Sequence, residues 1–75
     1  MEIERRVRFE DGEDLDAVPM MVRAESDDLS PGTRIEVEVG ARWTHTAGGD
    51  RVGGIWVPCE VVTETRKDLV VKLLS

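Results

Sequence analysis

Alternation of apolar and polar residues recurs along the chain and predicts β-strands, because successive side chains of a strand point to opposite faces. The most regular segment places threonine, isoleucine and valine on one face and arginine and glutamate on the other. Other segments combine this period with many β-branched residues, which favour extended backbone. The predicted strands are residues 3–9, 33–39, 56–65 and 69–74.

Residues 15–29 allow two interpretations. We predict a strand over residues 19–24, with Pro19 at its start or on a sheet edge, where the missing N–H is tolerated. In the alternative, Pro19 opens a short helix near residues 19–29. The strand is favoured because the apolar stripe of that helix would be thin.

A glycine-rich segment separates the second and third of these strongly patterned regions. Residues 41–46 are predicted to pair with residues 51–57 as a hairpin, and one long irregular loop is the alternative. The consecutive glycines Gly53 and Gly54 indicate a bulge or a close approach of two backbones just before the next strand.

Five or six short strands with little helical periodicity predict an all-β fold. The chain has 75 residues, which suffices for a single domain with a small core and leaves no room for a second one. A small sheet that buries one face curls up to limit its exposed edges. We therefore predict that residues 1–75 form one partly open, five- or six-stranded barrel.

Charge is distributed unevenly along the chain. Sixteen acidic and ten basic residues give a net charge of -6. Residues 1–32 hold ten of the acids and four of the bases, whereas residues 33–75 hold six of each, so the whole imbalance lies in the first part. Most of it falls in two clusters, residues 10–16 and residues 25–28.

The acidic clusters allow two interpretations, one in which they only keep the protein in solution and one in which they take part in binding. They are solvated loops that keep a small domain soluble, or they form a negative lobe that steers a protein partner with a basic surface. Direct binding of nucleic acid is disfavoured because phosphates would be repelled. A further alternative is an acidic mimic of nucleic acid that inhibits a nucleic-acid-binding enzyme, as some phage proteins do. The predicted lobe consists of Glu10, Asp11, Glu13, Asp14, Asp27 and Asp28.

Few side chains in the chain are of the types that catalyse reactions or bind metals. The single histidine, His45, and the single cysteine, Cys59, would have to form a nucleophile–base pair, but Cys59 sits in an apolar strand and is expected in the core. A structural zinc site needs about four ligands, usually cysteine or histidine, and His45 and Cys59 supply only two. We therefore predict a protein that is not an enzyme and has no metal or cofactor.

The same composition bears on location and assembly. No apolar run approaches the roughly 20 residues of a membrane span, and the N-terminus does not suggest a signal peptide. One cysteine excludes an internal disulfide framework and fits a reducing compartment. We predict a cytoplasmic protein with no membrane contact. Valine-rich strands in so small a domain leave an edge, so a homodimer through edge-strand pairing is a further hypothesis.

The two tryptophans receive different roles. Trp56, next to Val57 and Pro58, is predicted to be in the core. Trp43 lies beside Arg42 near the glycine-rich loop, and these two residues are the predicted anchors of a partner contact. A lid over the open end of the barrel is the alternative for Trp43.

From Pro31 onward the residue pattern resembles a known group of small barrels. Its matching positions are Pro31, Gly32, Ile35, Val37, Val39, Gly54, Trp56, Pro58, Val61, Val62, Val70 and Val71. These resemble the Src-homology-3-like barrels, in particular the Tudor and Agenet modules. The resemblance implies binding of peptides or methylated side chains through an aromatic cage near the variable loop. Only Trp43 and Trp56, with His45 as a poor third, are present for such a cage, so the resemblance favours the barrel over methyl-lysine binding.

Overall fold

The computed structural model describes residues 1–11, 17–43 and 49–74, and of Trp43 only the backbone. Within these ranges all regular elements are strands, so the predicted all-β fold is confirmed. Among the described residues there is no helix that could cross a membrane. The strands are β1 (Glu2–Phe9), β2 (Val18–Arg23), β3 (Arg34–Val39), β4 (Arg42–Trp43), β5 (Arg51–Val52), β6 (Ile55–Glu64) and β7 (Leu69–Leu73).

Five of these strands form a closed barrel in the order β1, β2, β3, β6, β7. Neighbours are antiparallel except for β1 and β7, which pair in parallel from Val7 with Leu69 to Phe9 with Val71. This pairing closes a barrel that the sequence predicted to be only partly open. It joins the first and last strands, and local alternation carries no signal for so distant a contact.

Residues 19–29 contain no helix, so the helical alternative is wrong. β2 pairs antiparallel with β1 over six positions. Beyond these positions the Met1 ammonium group donates a hydrogen bond to the Ala24 carbonyl oxygen, and the Ala24 N–H donates one to the Met1 carbonyl oxygen, both at 2.9 Å. Backbone groups alternate in direction along a strand. The nitrogen of Pro19 therefore faces away from β1, where its missing hydrogen costs no bond in this ladder.

The barrel interior is filled by valine, leucine and isoleucine from every barrel strand. Ile3, Phe9, Met20, Val39 and Val57 pack against this core while half-exposed. The buried members are Val7, Val22, Ala24, Leu29, Ile35, Val37, Cys59, Val61, Leu69 and Val71.

The connection between β2 and β3 ends in a type II turn with Pro31 and Gly32 at its centre. Gly32 has a φ of 92°, and the Thr33 N–H donates to the Ser30 carbonyl at 3.1 Å. Positive φ at this position is what selects glycine.

One flank of β1 extends past its neighbour. Pairing with β7 starts only at Val7, so residues 2–6 have no β7 residue beside them. The predicted homodimer through edge-strand pairing stays a prediction.

Candidate functional site

A short two-stranded ribbon continues the β3–β6 hairpin beyond the barrel. Val39 pairs with Ile55 at the end of the barrel sheet, and Arg42 pairs with Val52 in the ribbon. Arg42 is three residues after Val39, and Val52 is three residues before Ile55. The pairing register of the β3–β6 hairpin therefore continues unbroken into the ribbon. Of the predicted pairing of residues 41–46 with residues 51–57, the described part contains Arg42–Trp43 with Arg51–Val52, whereas residues 55–57 pair with β3 instead. The described residues 40–43 and 49–54 are called the arm below.

Two facing glycines bend the arm at its base. Gly40 has a φ of 78°, a backbone angle that residues other than glycine rarely adopt. Gly54, opposite it in the register, lies so close to β3 that a Cβ there would be 1.9 Å from the Val39 carbonyl oxygen. This confirms the close backbone approach that the sequence indicated at this position.

A buried glutamate clamps the bent arm to the barrel. Glu38 is only 4% exposed, and among the described residues it is the one buried charged side chain. Both terminal nitrogens of Arg51 donate to its carboxylate, Nη1 to Oε2 at 3.3 Å and Nη2 to Oε1. The Gly54 N–H donates to Oε2 at 3.0 Å. A carboxylate on β3 thus holds both the side chain and the backbone of the returning strand.

The contacts of Glu38 with Arg51 and Gly54, called the clamp below, favour the charged forms of both side chains. The hydrogen bonds from Arg51 hold the pKa of Glu38 below its ordinary value against the opposing effect of burial, and the Gly54 amide acts in the same direction as Arg51. The same bonds raise the pKa of Arg51. Since three donor groups already bond to Glu38, this carboxylate supports the arm and is not free for a ligand.

We expect Glu38→Gln to loosen the arm, with a stability loss that depends on pH. A carboxyl group with a lowered folded pKa stabilises the fold above its unfolded pKa of about 4.5. That contribution disappears as pH falls through the lower folded pKa, so the gap in urea midpoint between wild type and variant should close in acid. Urea unfolding from about pH 6 to about pH 3.5 measures the gap.

Glu36→Gln is the matched control for this prediction. Glu36 lies on the same strand, is about half exposed and pairs with Arg23 at 3.7 Å, so its loss should have little effect on the midpoint. A gap for Glu38→Gln that stays constant with pH would contradict the clamp, because a charge-independent packing loss would then explain it.

The acidic clusters lie at opposite ends of the barrel. Glu10 and Asp11 follow β1 and are exposed, whereas Asp27 and Asp28 lie between β2 and β3. Because β1 and β3 run in the same direction, the end of β1 and the arm share one end of the barrel. The other end is about six strand residues away, or roughly 20 Å. The described acids therefore do not gather into one lobe, and Glu13 and Asp14 fall outside the described residues.

The predicted anchors lie at the stem of the arm. Arg42 is exposed and has no hydrogen bond or ion pair with another described residue. The backbone of Trp43 pairs with Arg51, while its side chain is outside the described part. Two exposed apolar side chains are near the same base, Val52 at 41% and Ile55 at 71%.

Trp56 does not belong to the core, and its prediction was wrong. Cys59 and Val61 point into the barrel, and strand alternation then turns Trp56 to the outer surface. There it is half-buried beneath Arg23, whose guanidinium carbon lies 4.0 Å from the ring centroid. This is a cation–π contact on the outer face of the sheet.

The structure places Cys59 in the core, as predicted. Its side chain is fully buried, and burial raises the pKa of the thiol to about 11. A thiol in this state is a poor nucleophile, and His45 lies outside the described residues. In the described ranges no three His, Cys, Asp or Glu side chains come together as a metal site requires.

Sequence reasoning missed the residues that fix the arm. Glu38 is one of the polar residues that alternate along β3, and that pattern predicts an exposed side chain. The side chain is buried only because the arm folds over it. Comparisons of the chain with protein-family models, curated proteins and solved structures found no match. The resemblance to Tudor and Agenet modules stays a prediction.

Proposed function

We propose that this barrel is a non-enzymatic protein-interaction module that binds a partner with a basic surface. Its binding face is the barrel end that carries the arm. The observation that supports this most directly is the clamp of Glu38 on Arg51 and Gly54, since it holds the base of the arm against the barrel. Pre-organised loops lose less conformational entropy on binding than free ones do.

The exposed residues of that end have the composition of a contact surface. Arg42 is exposed at the stem of the arm, the backbone of Trp43 follows it there, and Val52 and Ile55 add exposed apolar area. Arginine and tryptophan are enriched among residues that dominate binding energy. Glu10 and Asp11 lie at the same end and supply the negative charge that attracts a basic surface.

Paired charge reversals test this assignment. In Glu10→Lys/Asp11→Lys, association with a basic partner should slow about tenfold at low salt, because the steering charge at the binding face is inverted. The partner is the protein recovered by affinity capture from host lysate, and stopped-flow mixing from roughly 50 to 500 mM salt gives the rates.

Asp27→Lys/Asp28→Lys is the matched control. It changes net charge by the same amount at the opposite end of the barrel, so its association rate should stay close to that of wild type. Equal slowing by both pairs would mean that only net charge matters, and an unchanged rate in both would remove the acidic residues from the binding face.

A further inference from the structure

The barrel end at which β1, β3 and β7 finish leaves apolar side chains exposed. Side chains two apart on a strand share a face, so residues two or four positions from a buried core residue also face the barrel axis. Val18 is 45%, Leu73 58% and Ile55 71% exposed at this end. The apolar residues of the set, called the mouth below, are Phe9, Val18, Val39, Ile55, Val57 and Leu73.

The opposite end of the barrel is closed. The connection between β2 and β3 places Leu29 against the core there, and both Leu29 and Ala24 are buried. A five-stranded barrel is too narrow to hold a channel, so the mouth is a shallow apolar surface above a filled interior. Apolar side chains grouped at one exposed surface are typical of an interaction site.

Negative charge lies at the rim of the mouth beside Leu73. The Glu10 N–H donates to the Val71 carbonyl oxygen at 2.8 Å, so Glu10 and Asp11 follow the end of β7. Both acids are exposed. They form the charged part of the rim that adjoins the apolar surface.

The basic side chains near this end are placed differently. Lys72 pairs with Glu60 at 3.2 Å, and Arg51 is held by Glu38. Arg8 alternates with the inward-facing residues of β1 and lies on the outer face. The arm leaves between β3 and β6, and β2 and β7 separate these strands from β1. Arg42 at the stem of the arm is therefore across the mouth from the two acids.

We propose that the mouth binds an apolar side chain of the basic partner, in a segment where leucine, isoleucine or phenylalanine is followed by lysine or arginine. The apolar side chain packs on Val18, Ile55 and Leu73, and the basic side chain lies against Glu10 and Asp11. A second copy of the chain would instead add its own Glu10 and Asp11 to the same small contact. This inference rests on the proposed function, because it names the part of the basic partner that is bound.

The test uses an acetylated, amidated peptide of two leucines followed by two lysines. The peptide is titrated into the ¹⁵N-labelled full-length protein, and binding is followed through the amide signals. The signals of Val18, Ile55 and Leu73 should shift, while those of Ala24 and Leu29 at the closed end should not.

Substitutions in the mouth should weaken this binding. Ile55→Ser and Leu73→Ser each remove a large apolar contact and should reduce the affinity at least about tenfold. Both residues are exposed, so the fold is kept. Pro58→Ser is the matched control, because Pro58 is an exposed apolar residue on the outer face of β6, and it should bind the peptide as the wild type does.

The charge of the rim is tested with the same peptide. Replacing its two lysines by glutamates should weaken binding about tenfold, and Asp11→Asn should weaken binding of the lysine peptide about threefold, the size expected for one exposed ion pair. Equal binding of both peptides would show that Arg42 offsets the acids and would overturn the proposal. Binding that both mouth variants retain, or no binding of the lysine peptide, would overturn it as well.

A second copy as the occupant is a further outcome of the test. Sedimentation equilibrium of the protein alone should show a monomer, and a dimer that Ile55→Ser dissociates would overturn the proposal in favour of self-association. Failure of the peptide leaves the proposed function intact if reversal of Glu10 and Asp11 still slows the captured partner more than reversal of Asp27 and Asp28 does.

Discussion

Leu69→Ala is expected to destabilise the barrel by about 3 kcal/mol, a large part of the roughly 5 kcal/mol expected for so small a domain. Leu69 is fully buried and stands at the closing seam. It pairs in parallel with Val7 of β1 and antiparallel with Glu64 of β6. Removing its side chain opens a cavity where three strands meet, and urea unfolding followed by tryptophan fluorescence measures the loss.

Leu73→Ala provides a control on the same strand. Leu73 is 58% exposed and lies at the far end of β7, so the same substitution should cost less than about 1 kcal/mol. Similar losses for both variants, or a loss below about 1 kcal/mol for Leu69→Ala, would argue that β7 does not close the barrel as described.

The strands themselves could be predicted because each signal is local. Alternation along residues 34–39 reports burial on one face, and the Pro31-Gly32 pair marks a turn through the φ values that it permits. Barrel closure could not be predicted in the same way. The parallel contact of Val7 with Leu69 joins distant parts of the chain, and neither segment differs from a strand that pairs with its sequence neighbour.

The candidate site was harder to predict because its residues depend on the fold. Residues 10–16 and residues 25–28 are close in sequence, yet β2 separates the described acids of these clusters by its length. Glu38 has the pattern of an exposed residue and becomes buried only when the arm folds over it. The anchors Arg42 and Trp43 were chosen for composition and position, and the structure adds that they stand at the stem of the arm.

Gly54→Ala is expected to destabilise the protein by about 2–3 kcal/mol and to detach the arm from the barrel. An added Cβ would lie 1.9 Å from the Val39 carbonyl oxygen and 2.7 Å from the Ala41 nitrogen. Both neighbours are backbone atoms, so relief requires the strands to move apart. That movement also draws the Gly54 N–H away from Glu38, and the clamp loses a donor. Urea unfolding measures the stability, and the Glu38 amide signal reports the clamp.

Gly53→Ala separates steric clash from the general effect of replacing glycine. A Cβ at Gly53 would come only within 3.4 Å of Glu38 Oε2, an ordinary van der Waals contact that requires no movement of the clamped carboxylate. The alanine also reduces the entropy of the unfolded chain, which favours folding by roughly 0.4–1 kcal/mol where no strain opposes it. Near-wild-type stability is therefore expected for Gly53→Ala. Equal losses at both glycines would show that the close approach of β3 and β6 does not set the bend, and the fixed position of the arm would need another cause.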